Sequence, residues 1–256
     1  ACMNGDFAGC TLLGGLLQEG IGLPKNPTKA VQAYVKGCDD GDADGCMYVG
    51  TLLLTGSSAV QRDTKLAAKA LMKGCKGGAD GACSDLGLLA LGGQGFDKDL
   101  PFAVEMFKKA CDGDNSTGCA NYAYMQEFGQ GITKNVDQAV RNYAKACKLN
   151  DASCTWLAAM LQLGKGVQRD ESKAVGLYKL GCNAGDVISC AIIRGYLDPS
   201  QAVNVDHFQA YINVWKDTCQ AGTPRDCSGL GVLAVVAGKK DEGKQLLARG
   251  CSLGDE

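Results

Sequence analysis

Histidine is almost missing from this chain: His207 is the sole imidazole in 256 residues. That scarcity limits most zinc sites and leaves any Ser–His or Cys–His catalytic arrangement with one possible base. Clustered positive charge is missing too. Lys and Arg total 26 against 28 Asp and Glu, and they are scattered along the sequence. A nucleic-acid groove or an anionic-membrane surface needs basic residues gathered in one place, so neither is expected. The strongest apolar stretch, Leu230 to Ala237, is far short of the ~18 residues that span a bilayer, so no membrane insertion is expected. No Ser is followed three residues later by Lys, and no G-x-x-x-x-G-K-[ST] occurs, so the penicillin-recognising serine motif and the phosphate loop are both lacking. C-x-x-C is absent, and with it the usual spacing of zinc ribbons and of haem attachment. Gly250-Cys251-Ser252-Leu253-Gly254 matches G-x-S-x-G, but in a helix–loop context rather than a strand–turn–helix elbow.

What the chain does contain is periodic. Its 15 Cys fall in pairs, Cys2/Cys10, Cys38/Cys46, Cys75/Cys83, Cys111/Cys119, Cys147/Cys154, Cys182/Cys190 and Cys219/Cys227, with Cys251 left over. The spacing within a pair is 8, once 7, and from pair to pair it is 35 to 37 until a final 32. Repetition at this period marks a tandem array of supersecondary units.

The residues between cysteines repeat as well. After the second Cys of a pair, position +3 is large and apolar (Leu13, Val49, Leu86), +4 is small (Gly14, Gly50, Gly87, Ala123, Ala158) and +6 is large again (Leu16, Leu52, Leu89). Steps of 3 and 4 are helical, which defines a helix A. Gly20, Gly56, Gly93, Gly129 and Gly164 end it, as expected where a left-handed residue closes a helix. Asn26, Asp63, Asp99, Asn135, Asp170 and Asp206 then stand where an N-cap should open a helix B. Its stripe is marked by a large residue four before the next Cys: Tyr34, Leu71, Phe107, Tyr143, Tyr178, Trp215. Helix B is expected to end at the first Cys of a pair and helix A to open at the second.

Segments such as CTWLAAMLQLGKGVQRDESKAVGLYKLGC (154–182) and CANYAYMQEFGQGITKNVDQAVRNYAKAC (119–147) resemble Sel1-like repeats, helix–turn–helix relatives of the tetratricopeptide repeat. The paired cysteines resemble the cysteine-rich subset typified by the Helicobacter cysteine-rich proteins. The resemblance implies an all-α, right-handed solenoid with one disulfide per junction, and binding work more often than catalysis. The expected organisation is one solenoid over 1–256, with units at about 10–38, 46–75, 83–111, 119–147, 154–182, 190–219 and 227–251. The unit at 190–219 departs from the pattern, with Ser200 and Ala202 in place of the glycines and Arg194 in place of the small residue.

A residue at the end of one helix and another eight later can be bridged across a tight turn. The expected disulfides are therefore Cys2–Cys10, Cys38–Cys46, Cys75–Cys83, Cys111–Cys119, Cys147–Cys154, Cys182–Cys190 and Cys219–Cys227, each worth about 2.5 kcal/mol in the chain-entropy model. Metal ligation is the competing use of so many cysteines, but the spacing and the lone His do not favour it, and no metal or other cofactor is expected. Disulfides imply an oxidising compartment, secreted or periplasmic, with the mitochondrial intermembrane space as the lesser choice. Ala1-Cys2 matches the end of a helix B and Cys251-Ser252-Leu253-Gly254-Asp255-Glu256 matches a junction loop. The expectation is a piece of a longer array, or else a free Cys251 thiol able to bridge an otherwise monomeric chain to another molecule.

In tetratricopeptide-like superhelices helix A lines the concave side. Positions +1, +2 and +5 of helix A should then face a partner, and the candidates are Tyr48, Asp85, Asn121, Tyr124 and Trp156. Aromatic residues at such places offer large, fairly rigid contact area, yet inter-repeat packing explains Tyr48, Tyr124 and Trp156 equally well. Leu12, Leu88 and Ile192 are expected to pack between repeats. His207, beside Asp206, is read as a surface or half-buried histidine, and Asn115-Ser116-Thr117 is a glycosylation sequon that matters only in a eukaryotic secretory pathway. The function expected is a non-catalytic scaffold that binds a protein or peptide. The alternatives are a periplasmic immunity protein that occludes a secreted effector, and a weak β-lactam or peptidoglycan binder or hydrolase.

Overall fold

Glycine closes one helix and an Asx residue opens the next in every repeat described. The computed structural model describes residues 7–56, 60–186, 188–189, 192–193, 219, 227 and 240–252. Its helices are α1 (Phe7–Glu19), α2 (Pro27–Asp39), α3 (Ala43–Thr55), α4 (Thr64–Lys76), α5 (Asp80–Gly92), α6 (Leu100–Asp112), α7 (Ser116–Phe128), α8 (Val136–Leu149), α9 (Cys154–Leu163), α10 (Glu171–Asn183) and α11 (Lys240–Ser252). Of α1–α10, odd numbers are A helices and even numbers B helices. The chain groups into two compact units, 1–142 and 143–256.

Gly56, Gly93, Gly129 and Gly164 close A helices with φ between 64° and 71°, a conformation that side chains with a Cβ resist. Asn26, Asp63, Asp99, Asn135 and Asp170 each accept a backbone N–H from the first turn of a B helix. Asp206 lies outside the described residues. Helix A begins earlier than the cysteine pattern suggests: α3, α5 and α7 start three residues before the second Cys, because Asp42 and Asn115 cap α3 and α7. Ala79, at the same place before α5, provides no side-chain cap and is buried instead. The B helices run one or two residues past the first Cys.

In α1, α3 and α5 the +4 glycine lets the A helix settle on the large residue of its own B helix. A Cβ built on Gly14 would lie 2.6 Å from the Tyr34 ring, on Gly50 2.5 Å from Leu71, and on Gly87 2.6 Å from Phe107. Those partners are fully buried. In the first unit each B helix also packs on the next A helix, and successive A helices touch each other, α1 on α3, α3 on α5 and α5 on α7. This is the stacking of a solenoid, where each hairpin buries what it cannot bury alone. Ala68, Leu71, Leu86, Leu89 and Met106 form one core and Ala90, Phe107, Tyr124 and Met125 the next. In the second unit Ala158, Leu161, Tyr178 and Ile193 form a third.

Candidate interaction face

The corners between repeats come first, because they fix where every A helix starts. Disulfides join Cys38–Cys46, Cys75–Cys83, Cys111–Cys119, Cys147–Cys154 and Cys219–Cys227, with Cα–Cα separations of 4.2 to 4.7 Å. Cys10 and Cys182 are also disulfide-bonded. Their expected mates, Cys2 and Cys190, lie outside the described residues, as does the side chain of Cys251. Such short separations need small neighbours. A Cβ on Gly45 would meet the Cys38 nitrogen at 2.8 Å, and one on Gly118 would meet the Ala110 Cβ at 2.4 Å. A lysine adds a second tie between repeats: Lys73 Nζ donates to the Cys38 carbonyl and Lys109 Nζ to the Cys75 carbonyl at 2.7 Å. Each places a cation at the carboxyl end of the preceding B helix, where the helix dipole favours it.

The pair spaced by 7 has its own explanation. Three residues past the first Cys, the other described corners turn through positive φ at Gly41, Gly78, Asp114 and Gly185. Between Cys147 and Cys154 that residue is missing. Asn150 instead stays extended and caps a short 3-10 turn, Asp151–Ser153, which leads into α9.

On the A helices so positioned, Tyr48 stands 40% exposed and stacks on Tyr34 of the preceding B helix, ring centroids 4.8 Å apart. Trp156 is half-buried and stacks in the same way on Tyr143, at 6.4 Å. The +2 aromatics therefore pack on the stripe of the previous hairpin and still present an edge. Asn121 and Tyr124 are buried, Tyr124 against Phe128, so these two candidates offer little accessible surface. Leu12 and Leu88 correct the expectation in the other direction: they are 66% and 44% exposed rather than packed between repeats. Ile192 does pack, against the Ala158–Tyr178 core.

Asp85 is the polar member of this face. Its Oδ2 accepts a 3.2 Å hydrogen bond from the Thr51 hydroxyl of the neighbouring A helix. Burial pushes its carboxyl above the usual range, and the Thr51 hydrogen bond works against that rise. Thr51 escaped sequence reading; its signal is that +5 of one A helix meets +2 of the next.

Among the described residues no group of His, Cys, Asp and Glu could hold a metal ion, and no helix is long and apolar enough to cross a membrane. His207 lies outside the described residues. In the first unit Leu12, Tyr48 and Leu88 expose apolar or aromatic surface on three consecutive A helices, and Asp85 is half-buried one turn before Leu88.

The family model for the Sel1 repeat matches residues 8–42, 43–69, 81–115, 116–151 and 152–186. Among solved structures, the chain is similar to a Sel1 repeat protein from Oxalobacter formigenes, at 23% identity and a TM-score of 0.70 over 77% of this chain and 78% of that one. It is similar to c5321, a protective antigen of uropathogenic Escherichia coli with an SLR fold, at 21% identity and a TM-score of 0.64; the match takes in 98% of this chain but 55% of that one. The Helicobacter pylori cysteine rich protein B is 32% identical over 51% of this chain and 93% of its own, with a TM-score of 0.41. No curated protein sequence matches.

Proposed function

Starting from the fact that the chain belongs to the Sel1 repeat family, we propose that it is a non-catalytic scaffold that binds a protein or peptide segment along its A helices. Its compartment is oxidising and extracytoplasmic, secreted or periplasmic, since buried disulfides recur along the array. One observation carries the binding reading. Leu12, Tyr48 and Leu88, on three consecutive A helices, expose apolar or aromatic side chains although the register that places them also builds the core. A rigid face of this kind binds with little loss of its own conformational entropy.

The test is site-specific photo-crosslinking in a native extract. A photoreactive phenylalanine analogue at Tyr48 should yield discrete adducts, and the same analogue at Lys69, exposed on α4, should not. Equal yields at the two positions would remove the A-helix face from the reading.

A further inference from the structure

Charge divides sharply between the two kinds of helix. Among the described helices, α1, α3, α5, α7 and α9 contain not one Lys, Arg or His, and their charged residues are Glu19, Asp44, Asp80, Asp85 and Glu127. Each of α2, α4, α6, α8 and α10 carries two or more Lys or Arg. Four of the acids lie away from the middle of the face: Asp44 and Asp80 in first turns, Glu19 at the last residue of α1, and Glu127 buried. Asp85 alone sits mid-helix, half-buried, between the exposed Tyr48 and Leu88.

A half-buried carboxylate ordinarily keeps a cation beside it, because desolvation penalises the bare charge. Asp85 has the Thr51 hydroxyl and, among the described residues, no Lys or Arg within ion-pair distance. The lysines near the corners are spent elsewhere, Lys73 and Lys109 on main-chain carbonyls. At Asp85 the face thus carries the charge complementary to a basic side chain.

We propose that this face is selective for a peptide segment carrying Lys or Arg next to apolar residues, with the cation received by Asp85 and the apolar neighbours by Tyr48 and Leu88. The inference rests on the scaffold reading above and gives it a ligand chemistry. Tyr48, at the same +2 position as Asp85 on the preceding A helix, supplies exposed aromatic surface for the apolar neighbours of that cation.

A phage-displayed library of random dodecapeptides is the probe, panned on the whole oxidised chain. Recovered peptides should be enriched in Lys or Arg flanked by apolar residues. Asp85→Asn, which can still bond Thr51, should weaken the best synthetic peptide by tenfold or more. Asp85→Lys should shift selection toward Glu and Asp, an exchange of preference that loss of folding would not produce. Peptides recovered without basic bias, or a bias unchanged in both variants, overturns the Asp85 assignment while leaving the scaffold reading intact. Peptides whose binding is indifferent to Tyr48→Ala and Leu88→Asp overturn both.

Discussion

The corner turns show at single-residue scale why glycine is so abundant here. Gly41, Gly78 and Gly185 turn through φ of 105°, 98° and 88°, and a Cβ on any of them would meet nothing within 4 Å. The constraint is therefore conformational and not steric crowding from neighbours. Asp114 occupies the same place at φ 62°, consistent with the tolerance of Asp and Asn for the left-handed region. Gly78→Ala should then lower unfolding free energy by about 1–2 kcal/mol, the cost of forcing an ordinary residue left-handed, and Gly78→Asn should lower it by less. Chemical denaturation of the two variants decides the matter; equal losses would mean that the turn is held by something other than its backbone conformation. The cysteine register made these corners legible in the sequence. The deletion before Cys154 was visible only as a spacing of 7, and its replacement by a 3-10 turn depends on local hydrogen bonding at Asn150 that no periodicity encodes.

Helix by helix, the apolar period, the closing glycines and the Asx caps were all readable, because they are local signals. What was not readable was which side of an A helix stays open. Positions +2 and +5 carry Tyr48 and Leu88 on exposed ground but Asn121 and Tyr124 in buried ground, and the difference lies in how each neighbouring hairpin packs. The +4 position gives a sharp test of that packing. Gly87→Ala should raise intrinsic helix propensity by about 1 kcal/mol, yet its methyl would intrude on the fully buried Phe107 ring. Overpacking of this sort costs about 1–3 kcal/mol, so the variant should be destabilised or, at best, unchanged. The control is Gly176→Ala, within α10 on an exposed site whose added methyl meets nothing within 4 Å; it should stabilise by about 0.5–1 kcal/mol. Only the Gly176 variant should gain in thermal stability, and a gain at Gly87 matching that at Gly176 would contradict the close approach of α5 and α6.

At the scale of the whole first unit, stability is distributed along the stack, since each hairpin touches mainly its neighbours. In such an array the total is close to a sum of unit and interface terms, and a covalent corner acts on one interface at a time. The five bridges with both cysteines described, at about 2.5 kcal/mol each by loop-closure entropy, would by themselves rival the net stability of a typical domain, about 5–15 kcal/mol, so an array held this way should fail when fully reduced. Removing one corner is the more informative experiment. Cys75→Ala with Cys83→Ala eliminates the bridge between α4 and α5 and leaves both positions filled by a small apolar residue. The loss should be about 2–3 kcal/mol, and unfolding should broaden or split, because α1–α4 and α5–α7 would no longer be tied covalently where α4 meets α5. The Lys109 hydrogen bond to the Cys75 carbonyl uses the main chain and survives the substitution, so the loss measures the sulfur link and not the lysine tie. Calorimetry showing an undiminished, single, sharp transition would mean that helix packing alone sets the junction. The rigidity assigned to the binding face would then have to come from the interhelical contacts of Gly50, Gly87 and their partners.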